Sequence, residues 1–179
     1  MPDSPLKIYT IGHSTRPIEE FIEILQAYEI EMLVDVRTLA GSRHNPQYNG
    51  ENLSQSLEDN GISYLHMKGL GGLRKTSKDS VNLGWKNPSF RGYADYMQAP
   101  EFADNLQELI EIAKQKRTVI MCAEAVPWRC HRSLIGDALS IRNIVVEDIL
   151  SKSSSSPHRM TRFAKVAGTS LTYPAETLE

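Results

Sequence analysis

Short apolar runs alternate along this chain with stretches in which apolar residues recur every three or four positions. The runs are Lys7–Gly12 (KIYTIG), Met32–Val36 (MLVDV), Ile62–Met67, Thr118–Cys122 (TVIMC) and Ile144–Ile149 (IVVEDI). Their shortness and their branched and aromatic content predict buried strands. Between them, Ile18, Phe21, Ile22 and Leu25 mark one helix face, with Thr15 as the expected N-cap and Pro17 in the first turn. Leu53 and Leu57 mark a short helix that Gly61 is placed to end. Phe102, Leu106, Leu109, Ile110 and Ala113 mark a longer one opened by Pro100, and a further helix is expected from Arg129 or Cys130 to about Arg142. Lys68–Gly92, rich in glycine and basic residues without a clear period, reads as a long loop. Strand alternating with helix predicts an α/β fold: a single-domain three-layer sandwich around a mostly parallel sheet of about five strands. The α/β domain is expected at residues 1–150. Residues 151–179 read as a Ser-rich linker (SKSSSS) and a C-terminal tail free to pack back on the domain, with a helical turn or two in PHRMTRFAKV.

Composition narrows the picture. With 40% hydrophobic and 23% charged residues, the chain of 179 residues suits one globular core. A formal net charge of −2 argues against coating nucleic acid by bulk charge, while leaving room for a local basic pocket. The opening MPDSPLKIYTIG lacks a basic stretch followed by an apolar one, so no signal peptide is expected. No run approaches the roughly 20 apolar residues of a membrane span, so no membrane partner is expected. Two cysteines do not make a disulfide scaffold, and a cytoplasmic location follows as the expectation.

In sheets of this kind ligands bind beyond the carboxyl ends of the strands. The chemistry-bearing residues fall there. Strand one runs into His13, Ser14 and Arg16, and strand two ends in Asp35 and runs into Arg37, Ser42, Arg43 and His44. Strand three ends near His66 and the Gly69–Gly72 run. Strand four ends in Cys122, followed by Glu124, Cys130, His131 and Arg132. One cavity lined by His13, Arg37, Arg43, Glu124 and His131 is therefore expected. Glu124, Cys130, His13 and His131 are the candidate catalytic residues. Ser14, Arg37, Ser42, Arg43, His66, Gly71 and Arg132 are the candidates for holding a ligand. Gly71 belongs to a G-L-G-G run that can form a backbone nest for phosphate, but it carries no Walker or dinucleotide pattern.

The densest segment is C-A-E-A-V-P-W-R-C-H-R, Cys122 to Arg132. A strand end followed by a loop and a helix N-terminus favours anions. Cys130, expected in the first helical turn beside Arg129, His131 and Arg132, should have a lowered thiol pKa and serve as nucleophile, with His131 or Glu124 moving protons. The plain alternative is that both cysteines only pack. Phosphatases and rhodaneses also set a cysteine at a strand end, but Cys122 and Arg129 do not match the phosphatase spacing. Zinc held by Cys122, Cys130 and His131 with a distant His13 or His66 is conceivable by ligand type, although no C-x-x-C pair supports it. Trp85, Phe90, Tyr93 and Tyr96 beside Lys86 and Arg91 suit either base stacking or a lid packed on the core.

These residues together resemble the family called domain of unknown function 488. The resemblance runs from about Ile8 to Ile149. It rests on I-G-H-S-T at Ile11–Thr15, D-V-R at Asp35–Arg37, S-R-H-N-P-Q-Y at Ser42–Tyr48, Y-L-H at Tyr64–His66 and L-G-G at Leu70–Gly72. F-R-G-Y-A-D-Y-M at Phe90–Met97 and the Cys122–Arg132 segment complete it. Two departures stand out: Thr38–Gly41 where the family usually has a proline, and Glu147 and Asp148 where it often has a histidine. The resemblance implies a site built from these motifs and no particular reaction.

The leading expectation is an enzyme acting on a small anionic, phosphate-bearing substrate that is nucleotide-like or derived from nucleic acid. Its rivals are a non-catalytic nucleotide- or nucleic-acid-binding module and a phosphatase- or rhodanese-like cysteine enzyme. Cofactor and oligomeric state are left open by the residues.

Overall fold

The computed structural model describes residues 5–175. The chain forms β1 (Lys7–Gly12), α1 (Ile18–Ala27), β2 (Met32–Asp35), α2 (Gly50–Glu58), β3 (Ser63–His66), α3 (Pro88–Tyr96), α4 (Pro100–Gln115), β4 (Thr118–Cys122), α5 (Arg132–Ser140), β5 (Val145–Ser151) and β6 (Ser154–Pro157). A two-stranded antiparallel hairpin follows, β7 (Lys165–Ala167) with β8 (Ser170–Thr172). The main sheet has the order β3-β2-β4-β1-β5-β6. All its pairings are parallel except that of β5 with β6. The expected parallel α/β sandwich is therefore present, with one antiparallel edge strand added.

Both faces of the sheet are covered, because alternate residues of each central strand point to opposite sides. Ile8, Val34, Ile120 and Val146 pack with α4 and α5 in one core cluster. Tyr9, Ile11, Leu33, Val119 and Met121 pack with α1 and α2 in the other. Glu19 and Glu20 in the first turn of α1 suit its positive end. That helix starts two residues later than expected: Pro17 is the N-cap, and Thr15 makes no cap.

Three other expectations are corrected. The Lys68–Gly92 loop ends earlier than expected, because α3 begins at Pro88 behind an Asn87 side chain that accepts the Ser89 and Phe90 amides. The Ser-rich linker forms β6 rather than spanning open space, pairing Ile149 with Ser155. The following segment carries no helix among the described residues; it continues to β7 and β8, and Leu171 and Tyr173 are buried in the first core cluster.

Candidate functional site

The site is built at the carboxyl ends of β1 and β4, which lie side by side with Gly12 opposite Cys122. Gly12 is required by this closeness, since a Cβ there would lie 1.5 Å from the Glu124 carbonyl oxygen. The strands stay joined beyond the sheet, where the His13 amide donates to the Cys122 carbonyl at 3.0 Å and Ser14 to Ala123 at 2.9 Å. On the face covered by α5, Cys122 shares the surface with Thr10 and with Asp148, which is Thr10's neighbour on β5. Arg132, the first residue of α5, is fully buried against this patch. Its Nε donates to Cys122 Sγ at 3.2 Å, Nη1 to Thr10 Oγ1 at 3.0 Å, and Nη2 to the Glu124 and Ala125 carbonyls at 2.8 and 3.2 Å. The Thr10 hydroxyl in turn donates to Asp148 Oδ1 at 2.5 Å.

A buried guanidinium is costly unless a counter-charge meets it. Among the direct partners of Arg132 the Cys122 sulfur is the one that can ionise. Burial opposes the thiolate, but the neighbouring Cys130 thiol and the Arg132 charge outweigh it, bringing Cys122 down to about 7. Cys130 behaves the other way. Burial and the neighbouring Cys122 push its thiol well up. The expected low-pKa thiol is therefore Cys122 and not Cys130. The reason is spatial: α5 begins at Arg132, Cys130 precedes the helix, and the Arg132 side chain reaches past it to the strand.

Cys122 and Cys130 lie on a cavity of about 450 Å³ that Arg37, Gly72, Phe90, Glu124, Arg129 and His131 also line. His131 donates from Nε2 to the Val36 carbonyl at 2.7 Å, which turns Nδ1 toward Cys130 Sγ at 3.5 Å. Burial holds this imidazole neutral, lowering it to about 4. Gly72 lies against the ring, and a Cβ there would come within 2.6 Å of Nδ1. Glu124 and Arg129 are exposed at the mouth.

Arg37 is anchored differently. Its Nε and Nη2 engage both oxygens of buried Asp35 at 2.9 and 2.7 Å, and Nη2 also meets the Tyr48 carbonyl. Tyr64 OH donates to the same carboxylate at 2.6 Å. His13 lies behind Arg37, 2% exposed and stacked on Tyr48 with centroids 4.1 Å apart. Its Nδ1 meets the Ser14 carbonyl at 2.7 Å and its Nε2 faces Arg37 Nη1 at 3.5 Å, while burial lowers its pKa to about 4.

The structure thus gathers Arg37, Glu124, Cys130 and His131 on one cavity and leaves the other candidates elsewhere. His13 is screened from it by its burial. Arg43 is exposed. Ser42 caps the turn to Asn45 and takes its own amide partner from Asn49. Ser14 sits at a left-handed φ of 51° in the strand-joining turn. His66 donates to the Arg37 carbonyl and lines a separate, more open hollow of about 780 Å³ beside α2. Gly71 packs on Thr38, leaving Gly72 as the glycine on the cavity. Arg132 faces inward to the sulfur. The zinc set does not assemble: among the described residues no group of three or more His, Cys, Asp and Glu side chains is placed to hold a metal ion. Of the aromatic segment, Trp85 stacks on Phe90 and meets Phe163 and Tyr173, and Tyr93 is buried in the core. This is the packed-lid arrangement.

One polar cluster was not anticipated. His158, from the strand edge beyond β6, sits 2.8 Å from Asp137 and 3.8 Å from Asp148. Asp137 also accepts from Tyr173 OH and the Thr161 amide. Burial opposes the imidazolium, but the two carboxylates prevail and raise His158 to about 9. The only hint of it in the sequence is a lone histidine in a polar tail.

Fold and site together define an α/β protein with a thiol cavity at the carboxyl end of a parallel sheet. The chain belongs to the family described as Domain of unknown function DUF488, whose model matches residues 17–139. No curated protein and no solved structure matches it. No helix among the described residues is long and apolar enough to cross a membrane.

Proposed function

We propose that this protein is a cysteine-dependent enzyme whose Cys122 thiolate attacks the electrophilic centre of a small anionic, phosphate-bearing substrate. The observation that carries the reading is the fully buried Arg132 guanidinium directed at Cys122 Sγ on the floor of a cavity. A cation so placed favours the ionised, nucleophilic form of the sulfur near neutral pH. Exposed Arg129 and the positive end of α3, whose Asn87, Ser89 and Phe90 line the mouth, attract an anion to it. Glu124 stands at the mouth of the same cavity.

Alkylation of Cys122 by negatively charged iodoacetate and by neutral iodoacetamide, each scaled to free cysteine, tests this. Iodoacetate should be favoured, inorganic phosphate should slow it, and Arg129→Ala should weaken both effects. Equal scaled rates with no protection by phosphate would remove the anionic substrate. A Cys122 inert below about pH 8 would remove the nucleophile.

A further inference from the structure

We infer that Cys130 is the resolving thiol of this site, and that its substrates are small anionic disulfides reduced through a transient Cys122–Cys130 disulfide. The inference rests on the reading of Cys122 as nucleophile and adds the electrophile and the second sulfur.

Both sulfurs line the same cavity. Arg132 touches both, with its side-chain Nε on Cys122 at 3.2 Å and its backbone amide on Cys130 at 3.5 Å. Each thiol acts on the other's ionisation, Cys130 favouring the thiolate of Cys122 and Cys122 opposing that of Cys130. Two thiols on one cavity, one at a strand end and one in the turn before α5, both against Arg132, are placed as disulfide exchange needs. An inert packing pair has no use for a buried guanidinium directed at one of its sulfurs. His131 Nδ1, fixed toward Cys130 by the bond of Nε2 to Val36, is the acceptor next to the second thiol.

The two thiols also act in a set order. While Cys122 is anionic, its charge adds to burial in keeping Cys130 protonated, so Cys122 attacks first. It bonds to one sulfur of R–S–S–R′, the substrate S–S bond breaks, and R′–S⁻ leaves and takes a proton from solvent. Capping Cys122 removes the charge that opposed ionisation of Cys130, while the Arg132 cation remains. Cys130 then passes its proton to His131 Nδ1 and attacks the Cys122 sulfur. R–S⁻ leaves and recovers that proton. Two electrons have moved from the cysteine pair to the substrate, which departs as two thiols. An external low-molecular-weight thiol returns the Cys122–Cys130 disulfide to the dithiol by the same exchange in reverse.

The test uses the full-length protein and two probes, the anionic disulfide dithiodipropionate and its neutral counterpart hydroxyethyl disulfide. Wild type should lose both thiols and two hydrogens of mass, with no retained adduct, and should react several-fold faster with the anionic probe. Cys130→Ser and Cys130→Ala should each trap one adduct on Cys122, and Cys122→Ser should form none in the same time. Circular dichroism of each variant separates a lost fold from lost chemistry, and the wild-type mass decides alone if the variants unfold. A stable single adduct on wild-type Cys122 with Cys130 still free would overturn the resolving role and leave Cys122 a nucleophile. Equal rates for the two probes would overturn the anionic substrate. Failure of Cys122 to react with iodoacetamide at neutral pH would overturn both this inference and the reading beneath it.

Discussion

Two buried arginines flank the same cavity, and they are balanced in opposite ways. Arg37 grips both oxygens of Asp35, a carboxylate that Tyr64 and the Arg37 amide also satisfy. Arg132 meets two carbonyls, a hydroxyl and a sulfur, with Asp148 one hydrogen bond further off. The first has a permanent counter-ion and holds the β2 loop in shape. The second has a counter-ion that exists only while Cys122 is ionised. A buried cation of the first kind is scaffolding, whereas one of the second kind prepares a nucleophile, because any step that neutralises the sulfur leaves the guanidinium seeking charge.

Removing each cation in turn should separate these roles. Arg37→Met strands a buried carboxylate and should cost about 3–5 kcal/mol in denaturant unfolding. Asp35→Asn combined with Arg37→Met should recover part of that loss. Neither should move the Cys122 titration, and a shift as large as that of an Arg132 variant would erase the contrast.

The histidines predict a stability maximum near pH 6.5. The His158 contribution, about 3 kcal/mol, is fully present below its unfolded value of 6.5 and is lost as pH rises through about 9. His13 and His131 work at the acid side. Their folded values are lowered to about 4, so the unfolded chain takes up protons first and stability falls as pH drops from 6.5 toward 4. Unfolding free energies across this range give the curve. His158→Gln should flatten the alkaline limb alone, and a steeper alkaline loss in that variant would contradict the assignment.

Arg132→Met should be the milder change in stability, about 2–3 kcal/mol, because the uncharged thiol left behind tolerates burial. Its signature is chemical. The Cys122 inflection should rise above about 8.5, the free-cysteine value, in an alkylation series. An unmoved inflection would show that Arg132 is scaffolding like Arg37.

The alternation of runs and helical faces made the five parallel strands legible, since buried strands leave little choice of residue. The start of α3 was hidden by Gly92, a poor helix former placed there because a Cβ would meet the Arg74 carbonyl oxygen at 2.3 Å. Strand β6 was hidden because all four of its residues are exposed at a sheet edge, and Ser154–Pro157 has no apolar side to betray it. Gathering the site at strand ends was legible from topology alone. The choice of sulfur was not: the basic residues that neighbour Cys130 in sequence direct their charge elsewhere, and Arg132 reaches Cys122 only once helix and strand are packed.

The pH dependence of alkylation at Cys122 by iodoacetamide, read in the folded wild-type protein by mass mapping of each cysteine, tests the central claim most directly. The account predicts an inflection at about 7 for Cys122, with Cys130 unreactive across the same range. An inflection above the free-cysteine value of about 8.5, or Cys130 reacting first, would contradict it.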